Sequence, residues 1–157
     1  MSIKHIQTLV NDPHFSSMLL QSFLTGYGTD CDLPIAMLTL PLLYNGEIRK
    51  KLLTANKNSS PQTLFLYAQH GKELSGQSKL AGFWNKFDIL ETLIKQSIIV
   101  LYSEKKIEID GNKIKLLDAL SYKDFNGNVQ NWLRSAHYLG VILKKATTED
   151  LLVILRS

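Results

Sequence analysis

The chain has 157 residues, 45% hydrophobic and 20% charged, an ordinary globular balance that excludes disordered, collagen-like and low-complexity classes. A chain of this length buries roughly 70% of its unfolded surface, so a single domain over residues 1–157 is expected without metal or disulfide staples. The net charge of +4 and pI of 9.1 are compatible with nucleic acid but select no partner by themselves.

Asn11-Asp12-Pro13 reads as a helix start, with Asp12 accepting from the free amides of the first turn and Pro13 preset for the first helical position. Phe15, Met18, Leu19 and Phe23 follow at helical spacing, and Thr25-Gly26-Tyr27-Gly28 ends the helix. Leu33-Pro34 opens a second helix, apolar all round from Ile35 to Leu43, which predicts an element packed on every side and the spine of the core. Pro41 has no amide hydrogen for the carbonyl of Met37, so a kink or a break into two pieces is expected.

Asn45-Gly46 punctuates the chain before a basic amphipathic piece, Glu47 to Leu53. Arg49, Lys50 and Lys51 are read as facing out, and Ile48, Leu52 and Leu53 as facing in. A loop from Asn56 to Pro61 precedes a helix over Gln62 to His70, and the polar, glycine-rich stretch Gly71 to Gly82 reads as a loop or weak helix.

From Phe83 a strong helical pattern runs through Trp84, Phe87, Leu90, Leu93 and Ile94. Ser97 to Tyr102 fits either buried helix or a first short strand. Ile107 to Leu116 alternates apolar and polar residues about Asp110-Gly111-Asn112, the pattern of a β-hairpin. Asn126-Gly127-Asn128 precedes an amphipathic helix carrying Val129, Trp132, Leu133, Ala136, Leu139 and Leu143, and Thr147-Thr148-Glu149-Asp150 resembles a capping box before Leu151 to Leu155. Gly140 inside a helix costs about 1 kcal/mol relative to alanine, which points to close approach of another helix, from this chain or from a partner. Helices leading into a short hairpin describe a mainly α fold with a small β-hairpin wing, an α+β, winged-helix-like domain. Other mostly helical folds with a hairpin fit the same order.

The chemistry is sparse. No phosphate-binding glycine loop of either common type occurs, and His5, His14, His70 and His137 are scattered singly, so neither an ATPase nor a metal centre is expected and no cofactor is implied. Asp30-Cys31-Asp32 reads as a solvated turn with a small buried thiol, and Asp88 with Glu91 as an ordinary surface pair; the chain is expected not to be an enzyme. A lone cysteine, no signal-peptide pattern at the N-terminus and no apolar run of spanning length point to the cytoplasm and away from a membrane. Arg49, Lys50 and Lys51, with Lys105, Lys106, Lys113 and Lys115 of the wing, are the candidate nucleic-acid contacts. Glu104, Glu108 and Asp110 interleave with the wing lysines and largely cancel them. Trp84, Trp132 and Gly140 are the candidate partner contacts, although either tryptophan also suits a core.

Three segments taken together carry a resemblance: Asn11 to Phe15 with Leu19-Leu20 and Gly26-Tyr27; Leu33-Pro34 through Leu43 with Arg49 after it; and Arg134 to Gly140 followed by Leu151 to Leu155. The chain resembles the small middle component of bacterial three-component ABC systems, the group that includes the small subunit of Lamassu-type anti-phage and anti-plasmid defence. The resemblance implies a non-enzymatic winged-helix subunit beside an ATPase of the SMC or Rad50 type and a separate effector, often a nuclease, with DNA touched through the complex. It offers no catalytic residue to carry over. Ser97 stands where the pattern leads one to expect a glycine between helix and first strand. The competing reading is a free-standing winged-helix DNA-binding regulator, for which the candidate recognition helices, Gln62 to His70 and Trp84 to Gln96, are too apolar.

Overall fold

A computed structural model describes residues 11–61, 64–65 and 82–155. The described part is mainly helical with one small three-stranded antiparallel sheet. The helix expected over Gln62 to His70 and the stretch Gly71 to Gly82 lie outside it, apart from Leu64 and Phe65, which are helical and buried, and the residue Gly82.

Helix α1, Pro13–Tyr27, begins as expected: the Asp12 carboxylate accepts from the His14 amide at 3.1 Å, Pro13 occupies the first turn, and Gly28 closes the far end at φ 79° with its amide on the Leu24 carbonyl. It is buried on nearly every side, and it, more than the apolar segment after Leu33, is the spine of the core. Its serines and Gln21 hide this in the sequence. Ser17 donates to His14 O (2.6 Å), Ser22 to Leu133 O (2.6 Å) and the Gln21 amide nitrogen to Asp118 O (2.8 Å), so these buried donors are satisfied in place.

The apolar segment does break in two, into α2, Leu33–Met37, and α3, Thr39–Leu43. The joint is at Leu38, one turn ahead of Pro41, where the proline withholds an amide hydrogen. Thr39 donates to the Ala36 carbonyl at 2.8 Å across the break. Asn45 caps α4, Gly46–Leu52, through the amides of Glu47 and Ile48. Ile48 and Leu52 face inward as expected, whereas Leu53, expected inward, is half exposed because the helix ends before it.

The run Ser97 to Tyr102 is helix: α5 extends over Phe83–Ser103. Ser97 is therefore not at a boundary; it is buried in the helix and donates to Leu93 O at 2.8 Å. The helix ends at Glu104, where Lys105 takes φ 60° and the Lys106 amide reaches back to Leu101 O at 2.9 Å, a left-handed cap more usually made by glycine. The hairpin follows, β2 (Ile107–Asp110) and β3 (Lys113–Leu116), joined by Gly111-Asn112 with Gly111 at φ 60°. A third strand was not legible in advance: β1, Cys31–Asp32, pairs antiparallel with β3, giving the order β1-β3-β2. The stretch expected as a solvated turn is thus a sheet edge, with Cys31 fully buried opposite Ile114.

After a 3-10 turn at Tyr122–Asp124, α6 spans Gly127–Leu143 and α7 spans Thr148–Leu155. The cap ahead of α7 is reciprocal: Asp150 N donates to Thr147 Oγ1 at 3.0 Å, and Thr147 N to Asp150 Oδ2 at 3.4 Å. Helices α1 and α6 share the most extensive interface among the described elements. Gly140 of α6 lies against α1, where a Cβ would stand 2.8 Å from the Tyr27 amide nitrogen and closer still to the Phe23 carbonyl oxygen; Gly26 meets the His137 backbone in the same way. Gly140 is buried in this crossing, so the close approach it signals is met within the chain by α1.

Candidate partner-docking surface

Several of the cations singled out for polyanion binding, Arg49, Lys106 and Lys113 among them, are committed within the chain. Helix ends leave carbonyls unpaired, and several basic side chains here fill them. Arg49 donates to Leu43 O at 3.1 Å while its guanidinium lies 4.3 Å from the centre of the Trp132 ring. Burial lowers the pKa of Arg49, with neighbouring Tyr44 acting in the opposite direction. Lys86 donates to Tyr44 O, and its pKa is lowered by burial and then by nearby Arg49. Arg134 performs the same task for α4, donating to Leu53 O at 3.0 Å and Ala55 O at 2.9 Å with Tyr138 beneath it. Neither Lys86 nor Arg134 stood out as functional in the sequence, because their partners are backbone carbonyls on distant elements.

Lys50 is exposed, but Lys51 is half-buried, so the three basic residues of α4 do not form one outward face. On the hairpin, Lys113 pairs with Asp32 at 2.9 Å and Lys106 with Glu104 at 3.0 Å, while the strand register sets Lys115 opposite Glu108. The Lys113 bond holds the Asp32 carboxyl below the usual carboxylate range, and Lys106 does the same for Glu104. Lys105 is exposed at its left-handed cap. The hairpin therefore interleaves its lysines with acids, which interrupts a positive track.

The two tryptophans part company. Trp132 is half-buried, meeting Phe15 and Tyr44 edge-on and Arg49 across its face; these contacts tie α6 to α1, α3 and α4. Trp84 is 41% exposed at the start of α5, braced by Phe83 and Phe87 at ring-centre distances of 5.0 and 5.6 Å. It lines an apolar groove with Leu33, Pro34, Met37, Leu38 and Phe87. Farther along the same helix, Ile89 is 73% exposed and Ile99 60%, with Tyr102 exposed near its end. A rigid aromatic at the mouth of an apolar groove can seat an apolar side chain, and burial of such an anchor dominates many interfaces.

Cys31 is deeply buried, and burial followed by nearby Asp32 pushes its thiol up to about 12, which leaves it protonated and inert at neutral pH. Glu91, one of the two carboxylates considered for acid–base work, pairs with Lys95 at 2.9 Å. Among the described residues no group of histidine, cysteine and carboxylate side chains could hold a metal, and no helix is long and apolar enough to cross a membrane.

The family model for the ABC-three component (ABC-3C) system Middle Component 3 matches residues 1–156. The chain belongs to this family. As a middle component it works with the other components of an ABC system, which agrees with an adaptor subunit. No curated protein and no solved structure matches this middle component.

Proposed function

We propose that this middle component is a non-enzymatic, cytoplasmic adaptor that joins an SMC- or Rad50-like ATPase to an effector such as a nuclease, in anti-phage or anti-plasmid defence of the Lamassu type. The observation that carries the adaptor part is Trp84, a braced and exposed tryptophan on an apolar groove, beside basic residues that are tied into internal caps and ion pairs. An adaptor needs such an anchor for a partner helix and a rigid body behind it. ATP hydrolysis and effector chemistry then belong to the other components, and DNA is met through the complex. The regulator alternative gains nothing from the paired wing, since a polyanion requires several free cations in register with its phosphates.

Co-expression with the neighbouring genes, followed by size-exclusion chromatography and mass spectrometry, tests the reading. The expected result is an ATPase recovered with this chain in a fixed ratio, and its loss in Trp84→Asp with the chain still folded by circular dichroism. A lone monomer or dimer that shifts duplex DNA would overturn the adaptor and favour the regulator.

A further inference from the structure

A second cleft, sharing no lining residue with the Trp84 groove, lies between α4 and the first half of α6, with a volume of about 370 Å³. One wall is Arg49 and Lys50 of α4 with Leu53 just past its end; the other is Asn128, Asn131 and Ser135 at helical spacing on α6. No carboxylate lines it. Ser135 is 1% exposed, and its hydroxyl has no hydrogen-bond partner, although a buried hydroxyl ordinarily finds one. Two cations, two carboxamides and an unpartnered hydroxyl form a set rich in donors with no counter-charge, and such a set selects an oxyanion.

We infer that this cleft receives the carboxylate of an aspartate or glutamate from an acidic segment of another component of the system. Two features favour a carboxylate on a protein over a phosphate on a nucleic acid. Arg49 already covers one face of Trp132, which leaves less of the ring for a base to stack on, and Lys106 and Lys113 of the hairpin are paired with acids, which interrupts any positive track for a phosphate backbone. Leu53, half exposed on the cleft lining, supplies an apolar neighbour for the residue beside the incoming carboxylate. The Arg49 guanidinium is held in place by Leu43 O and the Trp132 ring, so its orientation is set before the ligand arrives, which lowers the entropic cost of binding.

The inference rests on the adaptor reading, and the two fail differently. Isotope-labelled full-length chain is titrated with a hexaglutamate peptide and, in parallel, with inorganic phosphate and with oligodeoxythymidylate. The expected result is saturable movement of the Asn128 and Asn131 side-chain amide signals with the peptide in the wild-type chain, with the Asn128 movement abolished by Lys50→Glu with Asn131→Asp, both at exposed positions. No saturable movement overturns the inference, as does movement with phosphate or the oligonucleotide that equals or exceeds that with the peptide. In the co-expressed assembly the same double variant should weaken capture of a partner about tenfold or more. An assembly that forms equally well with the double variant sinks the cleft and spares the adaptor; failure of the wild-type chain to assemble sinks the adaptor.

Discussion

Gly140→Ala puts two opposing effects in competition at one position. Alanine is the better helix former by about 1 kcal/mol, so with open space around it the substitution would stabilise the chain. Space is lacking: the new Cβ would sit 2.8 Å from the Tyr27 amide nitrogen and nearer still to the Phe23 carbonyl oxygen, and both are backbone atoms that no rotamer change can move. Relief requires α1 and α6 to part by about an ångström, and a gap of that size forfeits up to about half of the dispersion attraction across the seam. Leu19, Phe23, Leu133, Ala136, Leu139 and Leu143, the most deeply buried apolar residues of these two helices, carry that loss. Overpacking against rigid neighbours costs about 3 kcal/mol, which leaves a net destabilisation of about 2 kcal/mol after the propensity gain. The melting temperature should fall by roughly 4–8 °C. Urea denaturation with Gly46→Ala alongside checks the result, because Gly46 has nothing within 4 Å of its would-be Cβ and that variant should be neutral or up to about 1 kcal/mol more stable. A Gly140→Ala chain as stable as the wild type would refute the close crossing.

Three further outcomes are expected. Lys105 occupies the left-handed region, which costs a side-chain-bearing residue about 1–2 kcal/mol, so Lys105→Gly should raise stability by about 0.5–1 kcal/mol in the same assay after its unfolded-state entropy is allowed for; a loss would mean that the lysine makes a compensating contact. Cys31 should resist a thiol reagent at pH 8 in the native protein and react at once in denaturant; prompt native labelling would contradict its burial. Because Lys113 and Thr148 hold the Asp32 carboxyl below its unfolded value, its contribution is present above an unfolded pKa of about 3.9 and is lost as pH falls through the lower native value. Asp32→Asn should therefore make stability fall less steeply between about pH 5 and pH 2, and an unchanged acid limb would show that the carboxylate is not engaged.

Local residue patterns set the punctuation of the fold. Asp12-Pro13, Gly28, Asn45, Gly111 and Thr147 act through hydrogen bonds and dihedral angles spanning a few residues, so their effects are written locally, and the break ahead of Pro41 followed for the same reason. Gly140 announced a helix crossing without saying whose, because a glycine records that space is needed and not what fills it. Only the tertiary structure decided which cations are free. Arg49 beside Trp132 is 83 positions away from it in the chain, and Arg134 reaches carbonyls about 80 positions earlier, so composition counts such charges as surface when they are helix caps. It also decided that α1, with its serines and glutamine, is the buried spine, since hydrogen bonds to Leu133 and Asp118 make polar residues affordable inside a core. The pairing of β1 with β3, the separation of Trp84 from Trp132, and the cleft that joins α4 to α6 are likewise properties of distant residues brought together, which no local pattern encodes.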